Sequence, residues 1–306
     1  MTTVNNAATR TQANAVRLAL GSVQFGLAYG IANRGGQVTH EEAAEIVGMA
    51  RSAGVDTIDT AIGYGDSEAC LGSIGVTDLR VITKLPGLPV GLADVRPWIE
   101  KEFTQALLRL QLTQVYGLLL HRPSDLLGPH GPALFDAMTA LKDQQKVVKI
   151  GVSIYAPSEL NALAARFNLD LVQAPFNLLD QRLSSSGWLD RLKEKNVEVH
   201  TRSAFLQGLL LMSRADIPSK FDRWNGLWDR WHQWLQTSDS TALQACLAFP
   251  LSFEQIDRVV VGADSPDQLA QIIRATRQTT SVNLLDLTDL QSNDENLVNP
   301  ARWALS

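Results

Sequence analysis

Short β-rich apolar runs recur along the whole chain, with amphipathic stretches between them. The runs are Leu18–Val23, Asp56–Ala61, Arg80–Leu85, Val115–His121, Lys149–Ile154, Leu171–Phe176, Val197–Arg202 and Arg258–Ala263. Several are nearly continuous in Val, Ile and Leu, as strands covered on both faces require. The stretches between them carry apolar residues at helical spacing. Thr39–Ala53 opens with Thr39 and Glu42 in capping-box spacing. Leu92–Leu110 carries Trp98, Ile99, Phe103, Leu107 and Leu110 at helical spacing. Ala133–Gln145, Pro157–Phe167, Ser186–Lys195, Ser240–Phe249 and Pro266–Arg277 follow the same logic.

Strand–helix units in unbroken alternation imply parallel strands joined by crossovers. An open doubly wound sheet and a closed barrel both satisfy that pattern. No GxGxxG follows the first run and no linker divides the 306 residues, which weakens the dinucleotide-binding sheet. Even spacing and total length favour a single-domain α/β fold, a (β/α)8 TIM barrel over residues 17–306. A flexible tail is expected over residues 1–16, and a loop or short helix over 284–306 beside the barrel mouth.

Composition narrows the function classes. Hydrophobic residues at 45% and charged residues at 19% describe an ordinary globular protein. The 27 basic residues fall short of the 32 acidic ones, a net charge of −5, where a nucleic-acid or anionic-membrane surface needs a basic excess. Cys70 and Cys246 have neither disulfide-framework nor metal-ligand spacing. No apolar run approaches the ~18 residues that span a bilayer, and the polar start of the chain lacks a signal-peptide core. The reading is a cytoplasmic, reduced protein, a monomer or weak homodimer acting on a small molecule, with no nucleic-acid, membrane or metal partner.

A barrel of this kind holds its chemistry at the C-terminal ends of the strands. Asp59 ends the second run and Tyr64 follows it, Lys84 closes the third, and His121 ends the fourth. Neighbouring strands lie ~4.8 Å apart, so these groups can meet at one rim. An ammonium beside a phenol favours the phenolate. A carboxylate beside that ammonium keeps it charged. The set suits a reaction in which negative charge develops on a carbonyl oxygen and a proton must reach it. Taken singly, each residue has a plainer reading: Asp59 a cap, Lys84 a surface residue, His121 a turn residue, Tyr64 a cover over the core. A Schiff-base aldolase using Lys84 is a further alternative, and needs a desolvated lysine of lowered pKa. Ser67 and Glu68 read as the cap of a short helix.

The runs IDTAIGYGDSEACLG, ITKL, LLLHRP, KIGVS and VQAPFNLLD, in that order, resemble the aldo-keto reductase superfamily. The likeness extends from Leu18 to about Ile273. It implies hydride transfer between NADP(H), with NAD(H) also admitted, and an aldehyde or ketone. It implies Tyr64 as general acid, Lys84 and Asp59 as the groups that tune it, and His121 as the group that positions the carbonyl. Gln173 and Ser153 match the residues that hold the nicotinamide carboxamide, although Ile154 replaces the usual Asn. Arg202 stands where many relatives stack an aromatic ring on the nicotinamide, and a guanidinium can also stack. Ser203, Leu206 and Gly208 match the segment around the pyrophosphate. Gly262, Asp264, Ser265 and Gln268 match the adenosine-phosphate loop, where NADPH-preferring relatives carry Lys or Arg. A carboxylate at Asp264 repels a 2′-phosphate and accepts from a free ribose hydroxyl. The resemblance also reaches members encoded with sugar-biosynthesis enzymes, through LGSVQFGLAYGIAN and NPARW. The alternative it leaves is a reductase-like regulatory protein that binds cofactor with little turnover.

Phe25, Tyr29 and Phe176 follow strand runs and are expected to line the pocket. Trp224, Trp228 and Trp231 fall on one helical face of FDRWNGLWDRWHQWL, read first as packing and second as a lid or partner surface.

Overall fold

The apolar runs pair as parallel strands β1 (Leu18–Gly21), β2 (Thr57–Asp59), β3 (Arg80–Leu85), β4 (Val115–Leu120), β5 (Val147–Ser153), β6 (Leu171–Pro175), β7 (Glu198–Arg202) and β8 (Arg258–Val261). They follow one another in sequence order around a closed barrel, the single (β/α)8 architecture that the pattern predicts. The computed structural model describes residues 17–279, 282 and 289–305. The expected tail over 1–16 lies outside the described residues, as do 284–288 and Ser306 of the closing segment.

The barrel closes where Leu18–Leu20 of β1 pairs with Val259–Val261 of β8. Arg17 seals this seam. Its guanidinium donates to the carbonyls of Leu251, Phe253 and Ile256, tying the start of β1 to the turn that leads into β8. The main hydrophobic core lies between the strands and their covering helices, and a separate small cluster of Ile82, Leu119 and Leu171 fills the interior. Gly151 belongs to this tight interior, because a Cβ there would collide with the Leu171 carbonyl.

Local signals explain the helices. In His40–Ser52, Thr39 accepts from Glu42 N while the Glu42 carboxylate accepts from Thr39 N, the reciprocal cap the spacing predicts. Val95–Leu110 buries Ile99, Phe103, Ala106 and Leu110 on one side. The crossover after β5 is shorter than its pattern suggests, ending as a helical turn at Leu160–Leu163. Glu159 there turns back to accept from Tyr155 N and Ala156 N. Ser67 and Glu68 are buried ties rather than caps. Ser67 bonds Ser22, and Glu68 accepts from Thr83 at 2.6 Å and pairs with Arg109 at 2.7 Å.

The tryptophan-rich helix, Asn225–Thr237, is packing. Trp228 and Trp231 are fully buried, and their indole N–H groups donate to Phe221 O and Leu210 O. Trp234 stacks on Trp231 at 5.6 Å. Trp224 precedes the helix instead of sharing its face, and donates to Asp294 of the closing segment. The segment thereby fastens the long loop after β7 to the chain's last turns. Among the described residues, no helix is long and apolar enough to cross a membrane.

Candidate active site

Strand register brings the exits together. Gly21 pairs with Asp59 and Asp59 with Ile82, so β2 ends two residues below Lys84, on the same side of the sheet. His121 N donates to Leu85 O, which sets the histidine at the same rim as Lys84. Ser153 pairs with Gln173, which carries the rim on to β5 and β6.

Lys84 is the hub. Its side chain is wholly buried, and Nζ lies 2.7 Å from Asp59 Oδ2, 2.8 Å from Thr60 O and 3.5 Å from Tyr64 Oη. Burial works against its charge, but Asp59 and Tyr64 outweigh it and hold the Lys84 pKa above the ordinary lysine value. A raised Lys84 pKa runs against the Schiff-base aldolase, which needs a neutral amine. Asp59 is held from its other oxygen too, since Gln173 Nε2 donates to Oδ1 at 2.6 Å and Ser153 donates to Gln173 Oε1 at 3.0 Å. Ser153 and Gln173 thus stand behind Asp59, buried at the top of the barrel interior.

Tyr64 and His121 face each other edge-on, with ring centroids 5.9 Å apart. Burial, then the charges of Lys84 and Arg202, bring the His121 pKa down to about 4, against the opposing pull of Asp59. His121 is therefore a neutral imidazole at physiological pH, able to orient a carbonyl without carrying a charge.

Asp59, Tyr64 and His121 open on a cavity of about 760 Å³, within the range of small-molecule and cofactor sites. It continues past Ser203 and Gly208 to Gly262, Asp264 and Gln268. The loop after β1 forms its opposite wall and is bonded to both neighbouring loops. Gln207 donates to the Tyr29 hydroxyl at 3.0 Å, and Asn33 donates to Asp264 at 3.2 Å. Close approach requires glycine at 208, where φ is also positive, and leaves little room at 262. A Cβ on Gly208 would collide with Ala32, and one on Gly262 with the Gln24 carboxamide.

Several expected residues take other places. Phe25 and Phe176 do not line the cavity; both are buried, and Phe176 packs against Phe249 and Phe253 behind the strands. A position just after a strand does not fix which way the side chain turns. Leu206 is also buried, with the left-handed backbone (φ 47°) that the Ser203–Gly208 turn requires. Ser265 caps the helix Pro266–Thr276 by accepting from Gln268 N. Gln24, Asn33 and Tyr155 line the cavity without having been singled out. The only sequence hint for Gln24 is a lone polar residue in VQF directly after the first strand.

A sequence model of the aldo/keto reductase family matches residues 17–285. The chain belongs to that family. As a member it is an NAD(P)-dependent oxidoreductase acting on carbonyl compounds. No curated protein matches the sequence at a significant level. Among solved structures, the holo form of the aldo-keto reductase AKR11C1 from Bacillus halodurans is 20% identical, with a TM-score of 0.71 over 94% of this chain and 95% of that one. The glycerol dehydrogenase AKR11B4 from Gluconobacter oxydans is 21% identical, with a TM-score of 0.67 over 93% and 92%. At such identities the likeness is one of fold.

The cavity residues fit a nicotinamide dinucleotide. Gln24 Oε1 is buried at the Gly262 end without a hydrogen-bond partner, an acceptor open to a ligand hydroxyl. Asp264 there is a second acceptor, its pKa raised by burial against the bonds it receives from Gln268, Asn33 and Gln24.

Proposed function

We propose that the protein reduces an aldehyde or ketone with NADPH or NADH, and that Tyr64 delivers the proton. The observation that carries this reading is the buried Lys84 ammonium, fixed by Asp59 and reaching the Tyr64 hydroxyl on the cavity wall.

The bound cofactor supplies hydride to the carbonyl carbon. The carbonyl oxygen gains negative charge, and Tyr64 Oη gives it a proton. Lys84 stabilises the phenolate left behind, because a fixed cation beside the oxygen favours its charged form. Asp59 keeps Lys84 charged and aimed, while Gln173 and Ser153 hold Asp59 from behind. Neutral His121 orients the carbonyl oxygen toward Tyr64. In the reverse direction Tyr64 is the base.

The Gly262–Gln268 loop argues for tolerance between the two cofactors. It carries no Lys or Arg, and Asp264 stands in it. Two of its backbone donors are already engaged, Asp264 N by Gln268 Oε1 and Gln268 N by Ser265 Oγ. A 2′-phosphate finds a carboxylate and few donors there, whereas free ribose hydroxyls find acceptors in Asp264 and Gln24.

The test is oxidation of NADPH and NADH against a panel of aldehydes by the wild type and Tyr64→Phe, with cofactor affinity read from tryptophan fluorescence. Turnover lost with cofactor binding retained is the expected result. Unchanged turnover in Tyr64→Phe removes the proton-donor role, and a strong preference for NADPH removes the tolerance.

A further inference from the structure

We infer that Arg202 binds a carboxylate of the substrate, so that the carbonyl compound reduced here is an acid. The inference rests on the reductase reading above. Arg202 is the last residue of β7 and lines the cavity beside His121 and Tyr155.

Its guanidinium is held on three sides. Nη2 donates to Ile154 O at 3.0 Å, Nη1 donates to Ser203 Oγ at 3.3 Å, and Cζ lies over the Tyr155 ring, 4.8 Å from its centre. These contacts draw the group from β7 across to the exit of β5, away from the Asp264 loop after β8. They use two of its five N–H donors. No carboxylate among the described residues pairs with it, in contrast with Lys84, Arg109 and Arg182, which each pair with a buried carboxylate.

The charge count at this end of the cavity points the same way. Lys84 and Asp59 cancel each other, and His121 is uncharged. Arg202 leaves a net positive charge next to the reacting atoms, near enough to act on both His121 and Tyr29. An immobilised, unneutralised guanidinium with free donors suits a planar carboxylate, which accepts two parallel bonds from it. Its rigidity also means that little side-chain freedom is lost on binding.

The experiment compares 4-carboxybenzaldehyde with its methyl ester, which has the same reacting aldehyde and no charge. The wild type is expected to favour the acid by about ten- to a hundredfold in kcat/KM, the worth of a charged hydrogen-bonded contact. Arg202→Gln brings the acid-to-ester ratio toward one, and Arg202→Lys, which keeps charge without the fork, keeps part of it. A wild-type ratio near one overturns the inference. So does an Arg202→Gln variant in which acid and ester fall together, or in which cofactor affinity falls more than the ratio, because the guanidinium then serves the cofactor. Absence of turnover with every aldehyde and both cofactors counts against the reductase reading alone. Calorimetry then decides: benzoate binding that is lost in Arg202→Gln and absent for benzamide supports the site, and no benzoate binding to the wild type sinks it.

Discussion

The two ends of the barrel interior carry the same four kinds of side chain. At the mouth stand Tyr64, Asp59, Lys84 and His121; at the floor stand Tyr116, Glu198, Lys149 and His200. At the floor the carboxylate is the hub. Glu198 is bonded to Tyr116 Oη at 2.7 Å, Lys149 Nζ at 2.5 Å and His200 Nε2 at 2.6 Å. Burial raises the Tyr116 pKa, and the bond to Glu198 raises it further. At the mouth the lysine is the hub, and the phenol oxygen is left to the cavity. An anion at the centre binds the phenolic proton more tightly; at the mouth the phenol stands beside a cation instead. Residue types alone therefore do not make a proton donor. On the proposed reading, which group holds the centre and whether the phenol faces a cavity decide it.

Mutation breaks the comparison most sharply at the two tyrosines. Tyr64→Phe is expected to lower kcat/KM for carbonyl reduction by about 10²–10⁴, the range of a lost general acid, with little change in folding stability. At the floor the large effect is structural. Glu198→Gln strands Lys149 and buried His200, and is expected to lower unfolding free energy by about 3 kcal/mol in urea titrations while folded protein still turns over. His121 gives a pH test. Its folded-state pKa of about 4 lies below the unfolded value of 6.5, so the unfolded chain binds its proton first. Stability from this residue is full above pH 6.5 and is lost as pH falls toward 4, on the order of 2–3 kcal/mol. The loss is read as the difference in urea midpoints between wild type and His121→Asn across that interval. The smallest effect is that of Tyr116→Phe, which removes one hydrogen bond to Glu198. It is expected to cost about 1 kcal/mol and no activity, the mirror image of Tyr64→Phe.

The mouth was legible because Asp59, Lys84 and His121 interrupt apolar runs at their ends, and a barrel puts such ends on one rim. The floor was not. Tyr116, Lys149 and Glu198 open their runs, where polar residues read as ordinary strand starts, and their meeting depends on barrel closure. Phe25 and Phe176 were misplaced because sequence gives distance past a strand but not side-chain direction. Trp228 and Trp231 read correctly as packing from their spacing, whereas Trp224 depended on where the helix begins, a boundary fixed by tertiary contact. Gln24 and Asn33 carry no motif, and only the folding of the first loop against Gly262 and Asp264 gives them a role.

The seam between β1 and β8 has a consequence for how the molecule comes into being. Leu18–Leu20 emerges among the first described residues, yet its partner on that side, Val259–Val261, is synthesised some 240 residues later. Until then the nascent sheet has two raw margins, each able to recruit a strand from a neighbouring chain. Asp59, Tyr64, Lys84 and His121 exist by then, but Arg202 and Asp264 come late, so the first half of the chain alone holds the Lys84 cluster without the pocket walls that face it.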